Sequence, residues 1–284
     1  MIFHMSKYIL FLLVLLISNK LLSTECQEVP LPVEVLRTEH IFEGEAIDVQ
    51  EIKGEIVVSI RVTYYYKGDT VFNPKVKIGY LTESHQNKKL FGLISNVKDI
   101  IGRKFIVYGY KASDHIIANI CSRTLSDNFE DFIYHKADLL RFLDSQNSYL
   151  NKLWFNTKYL DKSEKPRSDI NPDSLYSLLQ NKNLLMNENN FIIISVMIGN
   201  QGKLIHSCLY GGQNFNVLQE FQIPLMIPLN DERKQSPLEV MMLDYIRNIN
   251  EWQPAKISSK EINSSTLIKF EFDSAKRKII VDFI

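Results

Sequence analysis

Cysteines, histidines and neighbouring carboxylates are the side chains of this chain best able to ligate a metal, attack a carbonyl or close a covalent bridge. The cysteines are three, Cys26, Cys121 and Cys208, and an odd number permits at most one intramolecular pair. The six histidines are His4, His40, His85, His115, His135 and His206. None forms an HExxH pair, so the zinc-protease signature is absent. His206 and Cys208 lie two apart, on the same face of a strand. Two ligands fall short of the three or four that a zinc site takes, and a packed pair is expected. Glu43 and Glu45 flank Gly44. With no acid–base partner evident, both are expected to face solvent. There is no G-x-S-x-G elbow and no Gly-Lys-Ser/Thr phosphate loop. Tyr64-Tyr65-Tyr66 has no basic residues interleaved and does not read as a base-stacking platform. These absences point to a chain that is not an enzyme and holds no cofactor.

The elements that would position these residues change style halfway along the chain. Gly54–Gly68 places Ile56, Val58, Ile60, Val62 and Tyr64 on one face and Ser59, Arg61 and Thr63 on the other, a strand period. Val76–Tyr80, Lys104–Lys111 and Ile116–Cys121 read as further short strands. After Thr124 the period becomes helical. Asp127 and Glu130 form a candidate start, and Phe129, Phe132, Ile133, Ala137, Leu140 and Leu143 recur along a helix to about Asp144. Five or so strands closed by a helix predict a small OB-type β-barrel.

The stretch 147–170 is polar and irregular and reads as a linker. From 171 onward the pattern predicts an α+β domain, an antiparallel sheet with a packed helix. Asn171–Leu179 opens a short helix. Phe191–Ile198 and Lys203–Leu209 form a hairpin around Gly199–Gly202. Ser236-Pro237-Leu238-Glu239 starts a helix with a capping box and Pro at its first position. Thr266–Asp273 and Lys278–Phe283 close the sheet.

The bulk numbers exclude more than they assign. Lys plus Arg and Asp plus Glu are 33 each, against the basic excess of a nucleic-acid binder. Tyr8–Ile17 (YILFLLVLLI) is shorter than the about 20 apolar residues a membrane span needs, and suits a secretory signal. The expected organisation is therefore a signal peptide over 1–24, a barrel domain over 25–146, a linker over 147–170 and the α+β domain over 171–284. The alternative is membrane anchoring through residues 8–17. Export to the periplasm or beyond places the cysteines where disulfides persist.

Residues 26–145 carry a specific order of motifs: HIFEGEAIDV at His40–Val49, a strand ending YYYKG, GRKFIVYGY, then CSRT and a helix. The order, with Phe42, Gly44, Lys67, Gly68, Gly102, Val107, Tyr108, Cys121 and Thr124, resembles bacterial proteins related to the N-terminal domain of tissue inhibitors of metalloproteinases. The resemblance implies an OB-type barrel. It also implies a disulfide from Cys26 to Cys121. In inhibitory members a mature N-terminal Cys chelates the protease's zinc through its α-amino and carbonyl groups, and Cys26 is the matching position. Animal members begin Cys-x-Cys, whereas Gln27 and Glu28 follow Cys26 here.

Residues 168–284 resemble the TonB C-terminal domain in the order of strand, Gly202-Lys203 turn, strand, capped helix, Glu251-Trp252-Gln253-Pro254-Ala255 and closing strands. That family meets other envelope proteins, often by strand addition. Trp252 and Pro254 either contact such a partner or serve the fold, Trp packing under the sheet and Pro ending the helix. The chain lacks the long Pro-rich spacer of TonB. The resemblances together imply an exported two-module protein that binds another envelope or extracellular protein. The alternatives are a TonB-like transducer and a metalloprotease inhibitor acting through Cys26.

Overall fold

The computed structural model describes residues 29–52, 55–70, 74–80, 97–113, 115–118, 122–184, 191–210, 214–228, 234–273 and 276–284. A short helix, α1 (Leu31–Arg37), leads into β1 (His40–Ile52), β2 (Glu55–Lys67), β3 (Lys75–Tyr80), β4 (Lys104–Ala112), β5 (His115–Ile117) and β6 (Leu125–Ser126). The strand order is β1-β2-β3-β5-β4, and β4 pairs back onto β1, closing a five-stranded barrel with β6 appended to β4. The β3–β5 pairing is parallel and the others antiparallel. Closure leaves no free edge in the barrel. Its interior is filled by Phe42, Ile56, Val58, Ile60, Phe105 and Val107, all with no exposed surface.

The alternation along β2 holds only to Val62. Glu43 stands opposite Tyr64 and Gly44 opposite Val62, so Thr63 is an extra residue, a β-bulge. Beyond it the faces exchange. Tyr64 turns out, 56% exposed, and Tyr65 packs on Phe42 at 5.7 Å between centroids. The expected inward face therefore loses Tyr64, because the alternation cannot register a bulge. The helix α2 (Phe132–Asp144) starts at Asp131 rather than near Asp127. Turns occupy 127–131, where Asp127 N bonds Lys104 O and Phe129 N bonds Ser126 O.

The second half holds α3 (Gln146–Leu150), β7 (Trp154–Asn156), β8 (Arg167–Ser168), α4 (Pro172–Asn181), β9 (Phe191–Ile198), β10 (Leu204–Leu209), β11 (Asn214–Leu218), β12 (Pro224–Pro228), α5 (Pro237–Arg247), β13 (Trp252–Gln253), β14 (Ala255–Ile257), β15 (Lys260–Asp273) and β16 (Lys278–Phe283). The main sheet runs β10-β9-β15-β14, with β16 and a parallel β7 also on β15. Asn171 caps α4 by accepting from Asp173 N and Ser174 N, and Ser236 with Glu239 forms a complete capping box on α5. Both helices join one core: Leu175 and Leu179 from α4, and Leu238, Met242 and Ile246 from α5, pack with Ile194, Val196, Ile268 and Phe270. The stretch 147–170 is woven into this half, with β7 on β15 and β8 on β13. Its Leu150, Leu153, Phe155 and Leu160 are buried.

A single apolar cluster crosses from one half to the other. It joins Leu31, Val33, Val35 and Leu36 of α1, Tyr108 of the barrel and Phe142 of α2 to Phe155, Phe221, Ile223, Ala255, Ile257 and Ile262. Every residue of α1 from Leu31 to Leu36 is buried in this seam.

Candidate functional site

Cys26 and Cys121 lie outside the described residues, and so does the candidate signal over 1–24. The residues flanking them meet. Arg123 reaches back across the sequence and donates from Nε (2.9 Å) and Nη2 (2.7 Å) to the Val29 carbonyl, while its backbone N–H donates to Glu34 Oε1 at 2.7 Å. Thr124 Oγ1 accepts from Tyr108 N at 2.9 Å and donates to Tyr108 O at 3.2 Å. At the other end of α1, Lys67 Nζ donates to the Val35 and Leu36 carbonyls at 2.7 and 3.0 Å. A cation at a helix C-terminus satisfies orphan carbonyls and suits the helix dipole. The Ser122-Arg123-Thr124 stretch is thus a stitch between β4 and the entering chain. Nothing in the sequence pairs Arg123 with residues 94 positions away.

Trp252 is 4% exposed, inside the second core, with its ring edge-on to Phe283 at 6.5 Å. Its backbone pairs with Ser168 and donates to Gly202 O at 3.3 Å. Pro254 follows on the same connection, half-buried. His206 and Cys208 face Met197 and Ser195 across the hairpin. His206 is exposed and Cys208 buried, so the two do not form a packed pair. Burial pushes the Cys208 thiol above its ordinary value, which keeps it protonated and unreactive. Among the described residues no group of three or more His, Cys, Asp or Glu could hold a metal ion.

Glu43 corrects the expectation of two solvent-facing carboxylates. It is 8% exposed, accepts from Tyr66 Oη at 2.8 Å and pairs with Lys136 of α2 at 2.6 Å. Glu45 pairs with Arg61 at 2.7 Å and stays partly open. The bulge at Thr63 brings Tyr66 to Glu43, and α2 supplies Lys136. Beside them Tyr108 Oη and His135 Nε2 share a hydrogen bond of 2.9 Å, also from barrel to α2. Burial raises the Glu43 carboxyl, but the hydrogen bonds from Lys136 and Tyr66 outweigh it and hold it below the usual glutamate value. Burial and then Glu43 push the Tyr66 hydroxyl up. This is a neutralised cluster: the buried carboxylate is paired with a phenol hydroxyl and a partly solvated cation.

A carboxyl lowered on folding stabilises the fold above its unfolded pKa, and the contribution is lost as pH falls through the folded value. Glu43→Gln should therefore cost about 1 kcal/mol at neutral pH, given the partly solvated lysine. The difference from wild type should shrink as pH falls from the ordinary glutamate range through the lowered folded value. Urea unfolding at pH 7 and pH 3 measures both, and a gap no smaller at pH 3 than at pH 7 contradicts the assignment.

Two features of the second half present surface to other molecules. β16 is a regular edge strand, with six consecutive pairs to β15 from Asp273–Lys278 to Ile268–Phe283, α4 packed against it and no described strand on its other side. β10, at the opposite edge, is broken by an extra residue between Leu204 and His206, which leaves Ile205 58% exposed. A groove of about 600 Å³ opens between α4 and α5, floored by Leu178, Leu184, Val240, Met241 and Tyr245. Neither a family model nor a curated protein sequence matches the chain.

Proposed function

We propose that the chain is an exported, non-enzymatic protein of two modules that binds another envelope or extracellular protein through the sheet edge at β16. The observation that carries this reading is the edge itself. An unpaired strand is a template for a strand of a partner, and proteins blunt such edges with bulges, as at β10. β16 has no bulge, and only Lys278 and Asp282 are exposed along it. The first module is an OB-type barrel related to the metalloproteinase-inhibitor domain, supported by its closed β1-β2-β3-β5-β4 order. The second is TonB C-terminal-like, supported by the hairpin, capped helix, Trp252 and closing strands in that sequence around one sheet. Among the described residues no helix is long and apolar enough to cross a membrane.

The stitch from Arg123 to Val29 supports the pairing of Cys26 with Cys121. Residue 26 lies three positions before 29 and residue 121 two before 123, spans of at most about 10 Å and 7 Å of extended chain. The same geometry favours binding over inhibition through Cys26. The chain runs from Pro30 into the buried seam instead of along an exposed ridge.

A photo-crosslinking residue in place of Asp282 should give one discrete adduct in the native envelope fraction. The same residue in place of Ile205 should give none. Equal labelling at both edges, or none at either, refutes the edge as the docking site. Intact mass of that sample before and after reduction reads the cleavage site and the disulfide together. Three alkylated cysteines without prior reduction exclude the bridge.

A further inference from the structure

Phe221 is the only aromatic among the described residues with a left-handed backbone, at φ 58° and ψ 27°. A bulky L side chain held there corresponds to about a 5- to 30-fold handicap in equilibrium constant. Non-glycine strain of this kind persists only where surrounding contacts enforce it, and it concentrates at ligand clamps and switches. The contacts are specific. Phe221 sits in the turn between β11 and β12, a hairpin that forms its own two-stranded sheet. Gln219 fixes the turn from below: its amide accepts from Trp154 N at 3.1 Å and donates to Trp154 O at 2.8 Å.

The tip enters a pocket built by α2 and α3. The Phe221 ring stands edge-on to Phe142 at 5.4 Å and to Tyr149 at 4.9 Å, and the Arg141 guanidinium lies over it at 4.8 Å. Glu220, the preceding residue, is 3.6 Å from Arg141, which Asp138 also engages at 3.1 Å. The pocket therefore reads two adjacent side chains with different chemistry. Arg141 takes the carboxylate, and the Phe142–Tyr149 pair with the flat face of Arg141 takes the ring, as arginine does when it stacks on aromatic faces. Arg141 and Glu220 remain half exposed, so the mouth opens to solvent.

We propose that this pocket is a recognition site for an acidic residue followed directly by an aromatic one on a protein partner, with Glu220-Phe221 occupying it in the resting chain. The site is separate from the edge at β16 and does not depend on the reading of that edge. The internal segment holds its place by effective concentration, in the millimolar range for a short tether, and loses part of that advantage to its left-handed backbone. A partner presenting the same pair in relaxed backbone competes without that handicap.

The test titrates the whole chain with the acetylated, amidated tetrapeptide Gln-Glu-Phe-Gln by calorimetry. Phe221→Ala, which vacates the pocket, should bind it at least tenfold more tightly than wild type. Adding Arg141→Ala should abolish binding, and a peptide with Lys in place of Glu should not bind. Equal affinity of wild type and Phe221→Ala, or binding indifferent to Arg141, overturns the proposal. Near-UV circular dichroism checks that Phe221→Ala folds. Where it does not, Glu220→Ala loosens the resident pair while keeping the ring, and should tighten the peptide at least threefold; no tightening overturns the proposal equally.

Discussion

Gly202→Ala should destabilise the protein by about 2–5 kcal/mol, and Gly102→Ala, at another positive-φ position, by only about 1–2 kcal/mol. Both glycines have positive φ, +72° and +87°. A methyl group at either therefore meets the left-handed penalty that glycine escapes. The surroundings differ. A Cβ on Gly102 has nothing within 4 Å. A Cβ on Gly202 would overlap the carbonyl oxygen of Trp252, a backbone atom that cannot swing aside. Relief requires moving Trp252, whose N–H bonds Gly202 O and whose strand pairs with β8. The ring would shift with it against Phe283 and the second core. The extra cost is that of overpacking a filled site. Urea midpoints of the two variants against wild type measure the difference. Equal shifts would show that the approach of Trp252 to Gly202 is slack.

That close approach also shows what the sequence could convey. The Gly199–Gly202 turn, the capping box at Ser236 and the Pro at the start of α5 are local chemistry, and each stands where spacing placed it. The barrel strand β2 was legible because alternation of β-branched residues is local too, and β4 because an apolar run follows the Gly102-Arg103 turn. Long-range events were not. The bulge at Thr63 leaves no mark in composition, yet it exchanges Tyr64 for Tyr65 and delivers Tyr66 to Glu43. Arg123 carries no local signal of its role, because its partners, Val29 and Glu34, lie 94 and 89 positions away. Phe221 carried one faint signal, an aromatic between Glu220 and Gln222 outside any periodic run, and its pocket comes from the distant helices α2 and α3. The polar composition of 147–170 concealed Leu150, Leu153, Phe155 and Leu160, four apolar residues spaced for a seam instead of a helix or a strand.

Because of that seam, residues 29–146 and 147–284 made as separate polypeptides should each fail to reach a native fold. The cut divides one core. It strips Phe221, Ile223, Ala255, Ile257 and Ile262 from α1, Tyr108 and Phe142, and leaves both faces in water. Exposing four large apolar side chains on one face costs at most about 6–12 kcal/mol at about 1.5–3 kcal/mol each, comparable with the 5–15 kcal/mol that holds an entire domain. The polar links break with it: Arg37 to Glu164, and Arg141 to Glu220 at 3.6 Å. The barrel half suffers further, because α1 is buried from Leu31 to Leu36 and the second half supplies one wall of its site through β14. The intact chain should correspondingly unfold in a single cooperative transition, with near-UV circular dichroism and tyrosine fluorescence coincident in urea. Two separated transitions, or a half that alone keeps a native near-UV spectrum and a sharp melt, would show that the seam is a contact between independent domains. Agreement with a single transition would mean that a partner docking at β16 would act on a unit that includes the barrel, since β15, on which that edge pairs, enters the α1 core through Ile262.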